Sequence, residues 1–227
     1  MQITLCQLEL HDFLFYASRE MGRLYETERY LHNYGLTYAL GLTRAPYAGL
    51  SHVPHYWEDL HHLNEEKIYV TPASPLRYTF AFHTFKMANT SYYSFTPQIS
   101  SNQVVFGRAK ELSPESCFTF FVLSEREMRL PHWIRLGKWM AKARVDIVAQ
   151  GSAQMKQGSY QATGVLNPLD LTGLPETCNI VAMAPASLIT NVSATGSYYE
   201  LSLDGEDTRV RLPAGMSYQP AGSGSKS

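Results

Sequence analysis

Residues 2–10, QITLCQLEL, alternate strictly. Ile3, Leu5, Gln7 and Glu9 fall on one side of an extended chain and Thr4, Cys6, Leu8 and Leu10 on the other. A period of two predicts a strand, placed centrally at the start of the fold. A polar, aromatic loop over 11–27 follows, holding Tyr16, Arg19, Arg23 and Tyr25. The period then changes. Leu31, Tyr34, Gly35 and Tyr38 recur at helical spacing, and Leu36, Ala39 and Leu40 widen the stripe. With Thr27 as N-cap, Glu28 in the first turn and Gly41 at the C′ position, the pattern predicts a helix over 28–40.

Residues 42–66 read as a long loop with Pro46, Pro54 and four histidines, and a short helical turn over 57–63. Strand-like runs come next, at 67–71, 77–85, 103–109, 117–123 and 144–150. Between the second and third lies NTSYYSFTPQISSNQ, suited to a hairpin tip. Residues 151–164, rich in Gly, Gln and Ser, read as a loop, and short strands are expected beyond it. The fold class is α+β: one domain over 1–220 with an antiparallel sheet and one main helix. The tail AGSGSKS, residues 221–227, reads as a flexible linker.

Composition sharpens this reading. Charged residues make up only 17% while 15 Tyr and 10 Phe are present, a mix that favours β-structure over helix bundles. Those aromatics serve either packing or base stacking. The three cysteines are far apart and odd in number, so no disulfide framework or zinc ribbon follows, and a reducing cytoplasm fits. No apolar run is long enough to cross a bilayer, and the first ten residues do not read as a signal peptide.

The net charge of −1 hides an asymmetry. Residues 1–66 carry four Lys/Arg against nine Asp/Glu, residues 67–144 eleven against four, and residues 145–227 four against seven. A basic middle between acidic ends predicts a basic face.

Candidate chemistry is sparse. His52, His55, His61 and His62 cluster with Glu58 and Asp59, but Pro54 interrupts any helix there and no HExxH occurs, so no metal site is assigned. No GxSxG, nucleophilic cysteine context or phosphate-binding GxxxxGK[ST] is present, and no cofactor is implied. Residues 131–144, PHWIRLGKWMAKAR, are more specific. They place Arg135, Lys138, Lys142 and Arg144 among Trp133 and Trp139, around Gly137. Cations for phosphates beside rings for bases suit single-stranded nucleic acid; an amphipathic turn with buried Trp and exposed Lys is the other reading.

The first strand, the helix LHNYGLTYALGL ending in Ala39-Leu40-Gly41, and the later PHWIRLGKWMAKARVDI with its basic glycine turn Arg135-Leu136-Gly137-Lys138 resemble the Cas-five subunit of type I-D CRISPR complexes over most of residues 1–215. The resemblance implies a ferredoxin-like, RRM-type domain of the RAMP kind with an inserted β-hairpin thumb at about 77–110. It implies a non-catalytic subunit that binds the 5′ handle of the guide RNA, caps the backbone filament and helps form the site near the protospacer-adjacent motif of target DNA. Neighbours would be the backbone subunit and a Cas-ten-type large subunit, with no membrane partner. The expected RNA contacts are Arg19, Arg23, Trp133, Arg135, Lys138, Trp139, Lys142 and Arg144. The first two lie ahead of the predicted helix, whose N-terminus would favour phosphate. Thumb contacts would be Arg77, Lys86, Tyr92, Tyr93, Phe95, Arg108 and Lys110. The alternative function is metal-independent processing of precursor guide RNA.

Overall fold

The computed structural model describes residues 1–44, 55–87, 105–202 and 209–219. In chain order the strands are β1 (Gln2–Leu10), β2 (Arg19–Met21), β3 (Leu24–Glu26), β4 (Tyr69–Val70), β5 (Ser74–Arg77), β6 (Phe80–Met87), β7 (Val105–Leu112), β8 (Cys117–Ser124), β9 (Trp133–Leu136), β10 (Ala141–Ser152), β11 (Gln154–Gln161), β12 (Thr177–Val181), β13 (Leu188–Ser202) and β14 (Arg209–Pro213). The helices are α1 (Asn33–Ala39), α2 (Tyr56–Leu60) and α3 (His62–Glu65), and a 3-10 turn spans Pro168–Asp170. None of these helices is long and apolar enough to cross a membrane.

The central sheet runs β4-β8-β1-β10-β9, with β5 also paired to β8. The alternation of β1 acts on both faces of this sheet. Cys6, Leu8 and Leu10 join Phe118, Phe120 and Val122 of β8 in one core cluster, against Leu36 and Leu40 around α1. Ile3 joins Phe121 and Leu123 of β8 in a second cluster, with Leu201, Leu212 and Tyr218 from the C-terminal part. A second sheet, β11-β13-β12 with β14 on β13, carries that C-terminal part. The third, β2-β3-β7-β6, is built on the antiparallel β6–β7 pair, and its β3–β7 pair is parallel. The architecture is a mostly antiparallel α+β fold.

Several sequence expectations need correction. The helix begins at Asn33 rather than at 28, because the Thr27 hydroxyl is engaged elsewhere. It accepts from the Tyr16 N–H and donates to the Tyr16 carbonyl, both at 3.0 Å. The Thr27 N–H donates to the Lys110 carbonyl, and Leu31 forms a bridge with Ala73. Residues 27–31 are thus tied to neighbouring strands, and the cap is His32, whose Nδ1 accepts from the Tyr34 N–H. At the other end Gly41 takes φ +71° and its N–H donates to the Tyr38 carbonyl, as the helix stop predicts.

The loop expected over 11–27 contains the short β2–β3 pair. The loop expected over 151–164 is largely β11, which pairs along its length with β13.

Candidate nucleic-acid interface

β9 and β10 form a small antiparallel unit at the edge of the central sheet, with Arg135 opposite Lys142 and Trp133 opposite Arg144. Cross-strand partners share a face. Ile134, Leu136, Ala141, Ala143 and Val145 therefore point into the first core cluster, and Trp133, Arg135, Lys142 and Arg144 point away from it. On that outer face the Lys142 ammonium lies 4.0 Å from the centre of the Trp133 ring, and the His11 ring meets Trp133 edge-on at 5.0 Å. Arg144 bonds Glu9 at 2.9 Å and Asp146 at 2.8 Å, so most of its charge is neutralised within the sheet.

The turn between these strands is held by Gly137. Its φ is +78°, and a Cβ there would lie 2.5 Å from Leu14 Cδ1 and 2.8 Å from the Phe15 carbonyl oxygen. That contact lets the Lys138 N–H donate to the same Phe15 carbonyl at 2.8 Å, and Trp139 stacks on the Phe15 ring at 4.5 Å while staying half exposed. The Arg135 guanidinium is fixed by a bond to the Met140 carbonyl and lies 3.9 Å from Asp12. Lys138 is exposed and forms no ion pair among the described residues.

Arg135 and Lys138 border a cleft of about 440 Å³. Its walls are the Gly35 and Ala39 side of α1, the rings of Tyr16, Tyr38 and Tyr56, and the Met183–Pro185 segment, with His32 among the lining residues. This size and character match a concave ligand site: mostly apolar lining with a few polar groups.

The remaining expected contacts lie elsewhere. Arg19 is bonded to Glu28 at 2.6 Å and sits 3.7 Å from Glu26, and α1 starts too late to act on it or on Arg23. Arg23 and Arg108 are exposed on adjacent segments, joined by an Arg108 N–H to Arg23 carbonyl bond. Lys110 pairs with Glu26 at 3.4 Å and covers the Phe80 ring, and Arg77 donates to the Glu115 carbonyl near Glu9. Tyr92, Tyr93, Phe95 and the Lys86 side chain lie outside the described residues, as does His52. His55, His61 and His62 do not converge with other ligand types: among the described residues no three His, Cys, Asp or Glu side chains are placed to hold a metal ion. One His–carboxylate pair stands out, His83 Nδ1 at 2.8 Å from buried Glu111.

A family model described as the type I-D CRISPR-associated protein Cas5/Csc1 matches residues 1–221. The chain belongs to this family. No curated protein matches the sequence. As a Cas5/Csc1 chain it is a subunit of a type I-D CRISPR system, and the match spans both the β9–β10 unit and every wall of the cleft.

Sequence reasoning about this Cas5/Csc1 chain found the cations of the rim but missed the pocket behind them. Tyr16, Tyr56 and Met183 come from stretches of chain separate from α1, which carries His32 at its cap and Tyr38, and none of the five carries a local signal for a cleft. Only Gly35 and Ala39, small residues on one side of an otherwise bulky helix, hinted that something lies against that side.

Proposed function

We propose that this chain is a non-catalytic subunit of a type I-D effector complex that binds the repeat-derived 5′ handle of the guide RNA through the β9–β10 turn. The observation that carries this reading is that Arg135 and Lys138 line a cleft together with Tyr16, Tyr38 and Tyr56 in a Cas5/Csc1 chain. Cations at a rim position phosphates, and rings behind them take bases.

A ferredoxin-like core is part of the proposal. The path β5-β8-β1-β10 gives the strand order of a βαββαβ unit, counted second, third, first and fourth, with α1 as the crossover after the first strand. Where a second helix would stand, this chain has β9 and the glycine turn. The antiparallel β6–β7 pair stands in chain order between β5 and β8, where a thumb would be inserted, and is rooted in the first core cluster through Leu112. The backbone subunit, a Cas-ten-type large subunit and the DNA near the protospacer-adjacent motif are the partners this reading assigns.

Arg135→Ala and Lys138→Ala are each expected to weaken binding of repeat RNA with little loss of stability, since both side chains are exposed. Each should also reduce the log–log salt slope by about 0.7, one phosphate contact on a single strand. Salt slopes unchanged in both variants would assign these residues to an ordinary solvated surface.

Repeat RNA is expected to remain uncut with or without divalent metal. The His83–Glu111 pair is the arrangement best suited to general-base chemistry, so it supplies the control. Specific cleavage that disappears in His83→Ala would replace this reading with guide-RNA processing.

A further inference from the structure

The second sheet carries a separate cleft, of about 370 Å³, on which the handle-binding reading makes no call. It is polar where the first is mostly apolar. The register of the sheet explains its lining. Gln154 stands opposite Glu200, and Glu200 opposite Arg211, in one row across β11, β13 and β14. Ser202 stands opposite Arg209 in a neighbouring row. Alternate residues of a strand share a face, so Lys156 lies on the same side as Gln154. The opposite face of these strands packs Leu201, Val210 and Leu212 into the second core cluster.

Glu200 is the fixed point of this cleft. Its side chain is 7% exposed; Lys156 Nζ bonds one carboxylate oxygen, and Arg211 Nε bonds the other at 2.8 Å. Arg209 lines the cleft, is exposed and forms no ion pair among the described residues. Lys156, Arg209 and Arg211 against the single carboxylate of Glu200 leave two positive charges uncompensated. Ser152 accepts from Gln2 Nε2 at 2.9 Å, so its own O–H is left to donate. The cleft therefore offers the Arg209 guanidinium, the remaining N–H bonds of Lys156, the Gln154 amide and the hydroxyls of Ser152 and Ser202. Donors in excess beside uncompensated cations fit an anion with several acceptor oxygens. No aromatic ring lines the cleft, so nothing in it stacks on a base.

We infer that this cleft holds a backbone phosphate of a nucleic acid, with Arg209 and Lys156 as its contacts. Such a contact positions the strand and reads no sequence. It lies at the far end of the 12-residue strand β10 from the glycine turn, about 35 Å away along the strand, so the two contacts contribute independently. Guide RNA, target DNA and free phosphate all present the same group, and the experiment separates them.

The Nε–H resonance of Arg209, assigned by its loss in Arg209→Lys, is followed in nitrogen-15 spectra of the full chain. Repeat-derived RNA, duplex DNA and inorganic phosphate are each titrated in at low salt. The resonance is expected to move saturably with one of the two nucleic acids, and the one that moves it names the strand. Movement with inorganic phosphate alone, or with none of the three, overturns the proposal. The chain joining β13 to β14 carries Asp204, Glu206 and Asp207. A resonance that responds only after Asp204→Asn, Glu206→Gln and Asp207→Asn also overturns it for the native chain. Fluorescence anisotropy titrations over a range of salt supply the second readout. Arg209→Gln, a change at an exposed side chain, should flatten the log–log salt slope by about 0.7 for a single strand or about 0.9 for a duplex. A slope unchanged in Arg209→Gln but lowered in Arg135→Ala and Lys138→Ala overturns this contact and leaves handle binding by the turn intact. The reverse pattern overturns the turn and leaves this contact. Failure of the parent chain to bind either nucleic acid at low salt overturns both.

Discussion

Gly137→Ala is expected to lower the thermal midpoint by about 10 °C and to reduce RNA binding by more than either rim-cation substitution alone. Two separate costs add at this residue. A non-glycine residue at φ +78° is strained by about 1–3 kcal/mol. The new methyl would also stand 2.8 Å from the Phe15 carbonyl oxygen, which is backbone and cannot rotate away, and 2.5 Å from buried Leu14. Relief of such a clash in a packed core costs about 1–3 kcal/mol more. At about 2–4 °C per kcal/mol for a chain of this size, the sum reaches the stated shift. The functional loss follows from the same contact. The Lys138 N–H to Phe15 carbonyl bond fixes the turn, so pushing Phe15 away displaces Arg135 and Lys138 together and disturbs the Phe15–Trp139 stack. Gly22 is the control. Its φ is +61°, but an added Cβ meets nothing within 4 Å. Gly22→Ala should therefore show the strain cost alone, a few degrees, with RNA binding intact. Equal melting shifts in the two variants would show that the close approach at Phe15 contributes nothing. Calorimetry and the same anisotropy titration check both effects.

The parts of this fold that were legible in sequence are those whose side chains carry the pairing. β1 was visible because its apolar residues feed two clusters, Cys6, Leu8 and Leu10 on one face and Ile3 with Leu5 on the other. β11, QMKQGSYQ, was not visible. Its side chains are mostly exposed, and the strand is held by main-chain bonds to β13, which leave no hydrophobic period. The start of α1 was misplaced for a related reason. Thr27 is a good N-cap by type, but its hydroxyl is satisfied by Tyr16 and its N–H by Lys110, partners that no local window contains. The rim of the site was readable from cations around a glycine, because β9, the turn and β10 are contiguous. Which of those cations are neutralised was not. Arg144 meets Glu9 across the sheet, Lys110 meets Glu26 across the β3–β7 pair, and Arg19 meets Glu28. The acidic N-terminal stretch supplies carboxylates to the basic middle, so the charge asymmetry along the chain is partly cancelled in space.

The same long-range pairing makes Asp170 a hub of the join between α1 and the C-terminal part. Its carboxylate is fully buried and accepts from Asn33 Nδ2 at 2.8 Å, Tyr69 OH at 2.8 Å, Asn167 Nδ2 at 3.0 Å and Tyr34 OH at 3.3 Å. Asp170→Ala strands those donors in the interior and is expected to cost about 3–5 kcal/mol, the range for removing one member of a buried charged network. Asp170→Asn should be far milder. Its carbonyl oxygen can take the place of Oδ2 and keep the bonds from Asn33, Tyr69 and Asn167. Its amide then faces the Tyr34 hydroxyl, whose oxygen can accept. The two variants also separate by pH. Burial raises the Asp170 pKa from 3.8 to about 6, against the opposing pull of its hydrogen-bond donors. A raised folded-state pKa means that the folded chain binds the proton more tightly than the unfolded chain. The resulting contribution to stability is complete below pH 3.8 and is lost as pH rises through about 6. The span corresponds to about 3 kcal/mol. The melting temperature of the parent chain, measured relative to Asp170→Asn across pH 4.5 to about 7, is therefore expected to fall with rising pH, because only the parent carboxylate titrates. A constant difference between the two curves would mean that the carboxylate keeps one protonation state throughout. Near-equal melting of Asp170→Ala and Asp170→Asn at neutral pH would mean that the donors around it find other partners when it is removed.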